Sequence, residues 1–296
     1  MASLALVGFL AAAAAGAAPA GKINVLVIDG QNNHNWKATT PPIKDMLEKT
    51  GKFTVEVLTS PPNLPKEADD AAKTANKEAW AKFRPDFAKY GVVFSNYNGQ
   101  SWPDEVKAAF EKYMENGGGL VVFHAANNAF SDWAAWNKMI GLGWRDNKFG
   151  DRITLDDSGK VIRTPKGEGP GAGHGPQWPY EVIVRDKDNP ITKGMPGKWT
   201  HAQDELYQGQ RGPALDMTVL VSAYAPKDKG GNDAHEPMVW TIPFGKGRVF
   251  VNLLGHDEKS VVHPGCAALM IRGTEWAATG KVTIPVPVDL TATPAK

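Results

Sequence analysis

Four apolar, β-branched runs dominate the first half of the chain: Ile23 to Asp29, Phe53 to Leu58, Tyr90 to Asn96 and Leu120 to Phe123, with helical patterns between them. The first is apolar on both alternating faces, as a strand buried inside a parallel sheet requires. Thr40-Pro41-Pro42 places a capping hydroxyl and prolines before Ile43 to Thr50, which reads as a helix ended by Gly51. Pro61 to Lys82 reads as a Pro-rich loop followed by a surface helix. Pro103 to Asn116 carries an apolar stripe at Val106, Ala109, Phe110, Tyr113 and Met114, and Gly117-Gly118-Gly119 stops it. Strands alternating with helices in this order predict βαβ units with right-handed crossovers. The expected fold is α/β, a mostly parallel central sheet with helices on both faces.

The second half is less regular. Gly141 to Gly175 predicts a loop-rich insertion with short apolar runs at Ile153 to Leu155 and Val161-Ile162. Tyr180 to Arg185, Met217 to Ala223, Met238 to Thr241 and Arg248 to Leu254 predict four more strands. The last two, joined through Pro243-Phe244-Gly245-Lys246-Gly247, predict an antiparallel hairpin at the sheet's edge, and a helix over Pro264 to Ala278 closes the domain. With 296 residues, 42% of them hydrophobic, the chain can bury one large core.

Residues 1–20 read as a signal peptide ending at Ala18-Pro19-Ala20, although the leader lacks Lys or Arg, and residues 21–296 as one domain. This predicts a periplasmic or secreted protein with no membrane span, because the apolar run is short for a bilayer. The charge balance, 33 Lys plus Arg against 32 Asp plus Glu, leaves no basic field to attract nucleic acid and favours a neutral partner. Ten tryptophans suit core packing first and stacking on sugar C–H faces second. The single Cys266 excludes an internal disulfide.

In an open parallel sheet, ligands bind beyond the carboxyl ends of the strands. Asp29, Gln31, Asn32, Asn33, His34, Asn35 and Trp36 follow the first strand, and His124, Asn127 and Asn128 the fourth. Gly255-His256-Asp257-Glu258 follows the hairpin. His201 to Gln208 adds the acidic pair Asp204-Glu205 and Tyr207, and Gly173-His174-Gly175 adds an imidazole in a flexible frame. Taken singly, His34 suits the ordering of a polar loop and Asp204-Glu205 a solvated pair, whereas His124 leaves a buried strand directly.

These segments resemble the trehalose-utilisation (ThuA-like) family. The resemblance rests on Val25 to Asp29 with its Asn/His loop, Gly118 to Ala125, Asp204-Glu205-Leu206-Tyr207, Pro237 to Trp240 leading to Gly245 to Phe250, Leu254-Gly255-His256, and Arg272 to Ala277. It implies a flavodoxin-like fold of the class I glutamine amidotransferases, without their chemistry. The turn that carries the nucleophilic Cys there reads Phe123-His124-Ala125-Ala126 here, and His256-Asp257-Glu258 only superficially matches the His-x-Glu pair. Cys266, near a helix start, is a poor substitute.

The resemblance further implies bacterial use of trehalose or related glycosides, with a 3-keto or intact glycoside as substrate. His124, Glu205 and His256 are the expected acid–base residues of an isomerase, lyase or hydrolase, and Asp29, His34, Asn127, Asp204 and Tyr207 the expected substrate-binding ones. The cofactor stays open. No nucleotide is expected, and a divalent metal among His34, His124, Glu205 and His256 ranks below the metal-free version because it needs four loops to converge. A homo-oligomer is compatible with the sequence. The alternative is a non-catalytic carbohydrate binder using Trp36, Trp102, Trp133, Trp136, Trp144 and Trp178. Clustering of His124, Glu205 and His256 in one partly buried pocket separates the two readings.

Overall fold

The computed structural model describes residues 21–287 and Leu290, so the expected leader lies outside the described residues. In chain order the elements are β1 (Ile23–Asp29), α1 (Trp36–Lys49), β2 (Phe53–Thr59), α2 (Asp70–Lys82), β3 (Val92–Ser95), α3 (Asp104–Glu115) and β4 (Gly119–Phe123). There follow α4 (Ala134–Ile140), β5 (Arg152–Leu155), β6 (Val161–Thr164), β7 (Trp178–Val184), β8 (Lys198–Asp204) and β9 (Thr218–Ala225). The chain closes with β10 (Ala234–Phe244), β11 (Gly247–Asn252), α5 (Glu258–Val261) and α6 (Pro264–Thr279).

The strands form one mixed sheet in the order β2-β1-β3-β4-β11-β10-β9-β7-β8, with the β5–β6 hairpin attached to β10. From β2 to β11 neighbours run parallel, in the register Val25↔Val92 and Phe250↔Val121. From β11 onward every pairing is antiparallel. The expected hairpin therefore exists but lies inside the sheet and not at its edge. The expectation of a mostly parallel sheet holds only for the first half. The polar strand β8, in which only His201 and Asp204 are fully buried, occupies the edge instead.

Two groups of helices cover the sheet. In one, α6 packs on β3, β4 and β11 and contacts α1 and α5. In the other, α3 and α4 pack on β10 and β11 and meet through Phe110 and Trp136. Here Trp102, Phe110, Phe130, Trp133 and Trp136 form a buried aromatic cluster, with Phe130 meeting Trp102 at 5.0 Å and Trp136 at 5.1 Å between ring centroids. Three of the six tryptophans considered for sugar binding are thus core. Helix α1 starts at Trp36, earlier than its prolines suggested, because the Asn35 side chain accepts the Ala38 N–H and caps it. Pro41 and Pro42 lie inside the helix, where each lacks one N–H donor.

Candidate functional site

Each side chain at the centre of the site follows a strand. His34 sits in the turn between β1 and α1, where its N–H donates to Asn32 Oδ1 (2.9 Å). His124 is the first residue past β4 and has φ +44°, a left-handed backbone at a strand-end turn that turns its ring out of the sheet. Its Nδ1 donates to the Leu253 carbonyl (2.6 Å), which fixes the ring with Nε2 facing Glu205. Glu205 follows β8. His256 follows β11 through Gly255, whose φ of +112° only glycine adopts readily; a Cβ there would meet the Phe123 ring at 2.5 Å.

Asp204 fixes the last two. It is fully buried, and its Oδ1 accepts the N–H groups of Glu205 (2.8 Å) and His256 (3.1 Å). Its Oδ2 accepts Gly255 N–H (2.8 Å) and His201 Nε2 (2.7 Å). Burial pushes this carboxyl up, but the His201 hydrogen bond, the nearby imidazoles and the backbone donors outweigh it and hold Asp204 ionised, below the usual carboxylate range.

Four imidazoles surround Glu205. Its Oε2 lies 3.2 Å from His34 Nε2, 3.1 Å from His256 Nδ1 and 3.6 Å from His124 Nε2, while Oε1 lies 3.6 Å from His174 Nε2. Burial opposes ionisation of Glu205, yet the imidazoles of His124, His256 and His34 overcome it and keep the carboxylate charged. The Glu205 carboxylate beside it pushes His256 up, whereas burial pushes His34 down. One ligand atom from each of His34, His124, Glu205 and His256 lies within 4.8 Å of the others. The group opens on a cavity of about 480 Å³ lined by Asn33, His34, Asn35, Asn128, Trp144, His174, Glu205, Tyr207 and His256.

A family model described as ThuA, trehalose utilisation, matches residues 24–277. The chain belongs to the ThuA family. A ThuA-like protein from Parabacteroides merdae is 39% identical, with 91% of this chain and 95% of that one covered and a TM-score of 0.82. A ThuA-like protein from Bacteroides uniformis is 21% identical over 91% of this chain and 96% of that one, with a TM-score of 0.57, and bears on the fold alone. No curated protein matches the chain.

In this ThuA-family chain, four of the eight nominated site residues, His34, Glu205, Tyr207 and His256, line the cavity together. His124 is buried behind it, its ring 4.5 Å from that of Tyr207. Asp204 is buried as well and positions its neighbours. The remaining two are engaged elsewhere: Asp29 accepts a hydrogen bond from Thr59 Oγ1 (2.7 Å), and Asn127 is buried against Gln210 (2.7 Å). Sequence reasoning noticed His174 as an imidazole in a flexible frame without nominating it, and its Gly-flanked loop brings it over Tyr207 with ring planes 15° apart. Trp144, with its ring centroid 4.8 Å from that of Tyr207, is the one tryptophan on the cavity wall.

The amidotransferase-like features have other uses. Asp257 caps α5, and Glu258 is an exposed residue of that helix, so no His-x-Glu pair forms. Cys266 is buried inside α6, and burial pushes its thiol far up, the reverse of what a nucleophile needs.

Proposed function

We propose that this chain is an exported enzyme of carbohydrate utilisation that acts on a 3-keto or intact glycoside by acid–base chemistry in the cavity around Glu205. The observation that carries this reading is the Glu205 carboxylate ringed by four imidazoles at the floor of a polar cavity. A binding protein needs only an aromatic platform, and here Trp144 and Tyr207 form just one wall.

A carbonyl at C3 acidifies the neighbouring C–H, so a base within reach removes that proton and a second group protonates the enolate or the leaving oxygen. Glu205, His174 and His256 reach the cavity and supply these transfers. Asn33, Asn128 and Tyr207 offer hydrogen bonds to sugar hydroxyls, and the Trp144 and Tyr207 faces offer stacking. His124 orients Glu205 from behind.

The parallel β2-β1-β3-β4-β11 core and the left-handed turn at His124 support a flavodoxin-like, class I amidotransferase-like fold in which an imidazole occupies the elbow of the nucleophile. The lack of Lys or Arg between Met1 and Ala20 does not remove the small residues that a signal peptidase reads, and export is part of the reading.

The test incubates the protein with 3-keto and unmodified disaccharides and follows products by NMR beside His124→Ala. Turnover by the parent chain that drops 100-fold or more in the variant is expected. Binding shifts without turnover of any sugar would leave a carbohydrate-binding protein.

A further inference from the structure

We propose that His34, His124, Glu205 and His256 form a binding site for one divalent first-row transition metal ion at the floor of the cavity, four-coordinate at rest and able to expand toward a ligand oxygen. Two ligand atoms at tetrahedral positions about 2.1 Å from an ion stand about 3.4 Å apart. The three nitrogens lie 3.1, 3.2 and 3.6 Å from Glu205 Oε2, on both sides of that value. Charge-assisted hydrogen bonds to a carboxylate are shorter, about 2.7–2.9 Å, and one oxygen cannot accept three of them with good alignment.

The rings agree with the same centre. An imidazole centroid stands about 3.2 Å from an ion bound by one of its nitrogens, so two imidazoles at a tetrahedral angle have centroids about 5 Å apart. His34–His256, His34–His124 and His124–His256 stand at 4.7, 4.8 and 5.7 Å, with ring planes 82–85° apart.

Two free valences point inward. His124 Nε2 and His256 Nδ1 are buried without a hydrogen-bond partner, an expensive arrangement unless something else meets those lone pairs. The Nδ1–H of His124 is held by the Leu253 carbonyl, the outer hydrogen bond that metal-ligating histidines make to fix the tautomer. Three imidazoles and one carboxylate suit zinc, cobalt, manganese or iron(II) and disfavour calcium and magnesium.

With the ion in place, these four side chains are committed as ligands, and proton transfer passes to His174, 3.6 Å from the other Glu205 oxygen and outside the ligand set. Its fitting substrate chemistry, which rests on the sugar reading above, is an α-hydroxy ketone or vicinal diol whose oxygens bind the ion and are polarised by it.

The experiment needs no substrate. The chelator-stripped full chain is titrated with Co²⁺, read by visible absorption, and with Zn²⁺, read by competition with a chromophoric chelator and by Tm. One equivalent per chain is expected, with tetrahedral-type Co²⁺ bands and a raised Tm. His256→Ala and Glu205→Gln, each checked for folding by circular dichroism, should bind at least tenfold more weakly, and His174→Gln should bind like the parent. Uptake by the parent no better than by a folded His34→Ala/His256→Ala variant overturns the proposal, as does equal binding by Glu205→Gln. Because uptake is read without sugar, its failure leaves the glycoside assay unaffected, and the reverse holds as well.

Discussion

Asp204 shows how much of the site depends on a residue that never meets the cavity. Its two carboxylate oxygens accept three backbone N–H groups and one imidazole, tying the end of β8 to the loop after β11. Truncation strands those donors in the interior at about 1–3 kcal/mol each. Asp204→Ala should therefore cost several kcal/mol in denaturant unfolding and abolish the ordered placement of Glu205 and His256. A variant within about 1 kcal/mol of the parent would contradict this role. At this scale the sequence was partly legible. His124 and His256 stood out because each leaves an apolar strand, and strand ends face a common rim. Asp29 also ends a strand, but its carboxylate is held by Thr59, and nothing in the sequence distinguishes an inward from an outward end.

Among the elements, α6 shows what the Arg272 to Ala277 segment does. Arg272 donates to the carbonyls of Ile191, Pro190 and Lys193, and also of Ile284, joining two chain segments to the helix. Gly273 lets the Phe250 ring approach, and Glu275 accepts the Thr283 and Ile284 N–H groups. The segment that marks the family is structural. The N-cap of this helix is His263, whose Nδ1 accepts the Gly265 N–H (3.3 Å), a bond only the neutral ring makes.

Burial, aided by His201, pushes His263 down to about 4, against the opposing influence of Asp204 and the Thr200 carbonyl. The unfolded chain takes that proton near 6.5, so between these values it binds more protons than the folded one. The stabilisation is whole above pH 6.5 and drains away as pH falls toward 4. His263→Asn keeps a capping oxygen without titrating, so its Tm should drop less than the parent's between pH 7.5 and 4.5. Equal drops would remove His263 from the acid response. Helix and strand periodicity gave α3, α6 and the β1–β4 series, whereas β8 escaped because Lys198-Trp199-Thr200-His201 has no apolar alternation.

On the scale of the whole molecule, lateral strand order is what periodicity cannot carry. The β10–β11 hairpin reads the same in sequence whether it ends a sheet or, as here, has β4 on one side and β9 on the other. The buried thiol belongs to this scale as well, since only loss of the α6 packing exposes it. Cys266 should resist a disulfide reagent in the native protein and react at once in denaturant; rapid native labelling would contradict its burial.

The four groups around the cavity come from loops after β1, β4, β8 and β11, spread from residue 34 to residue 256. No local stretch of chain holds more than one of them, so the centre acts as a coincidence detector for folding. A nascent, clipped or half-unfolded copy carries four ordinary polar side chains, and the cluster assembles only when both halves of the sheet have closed.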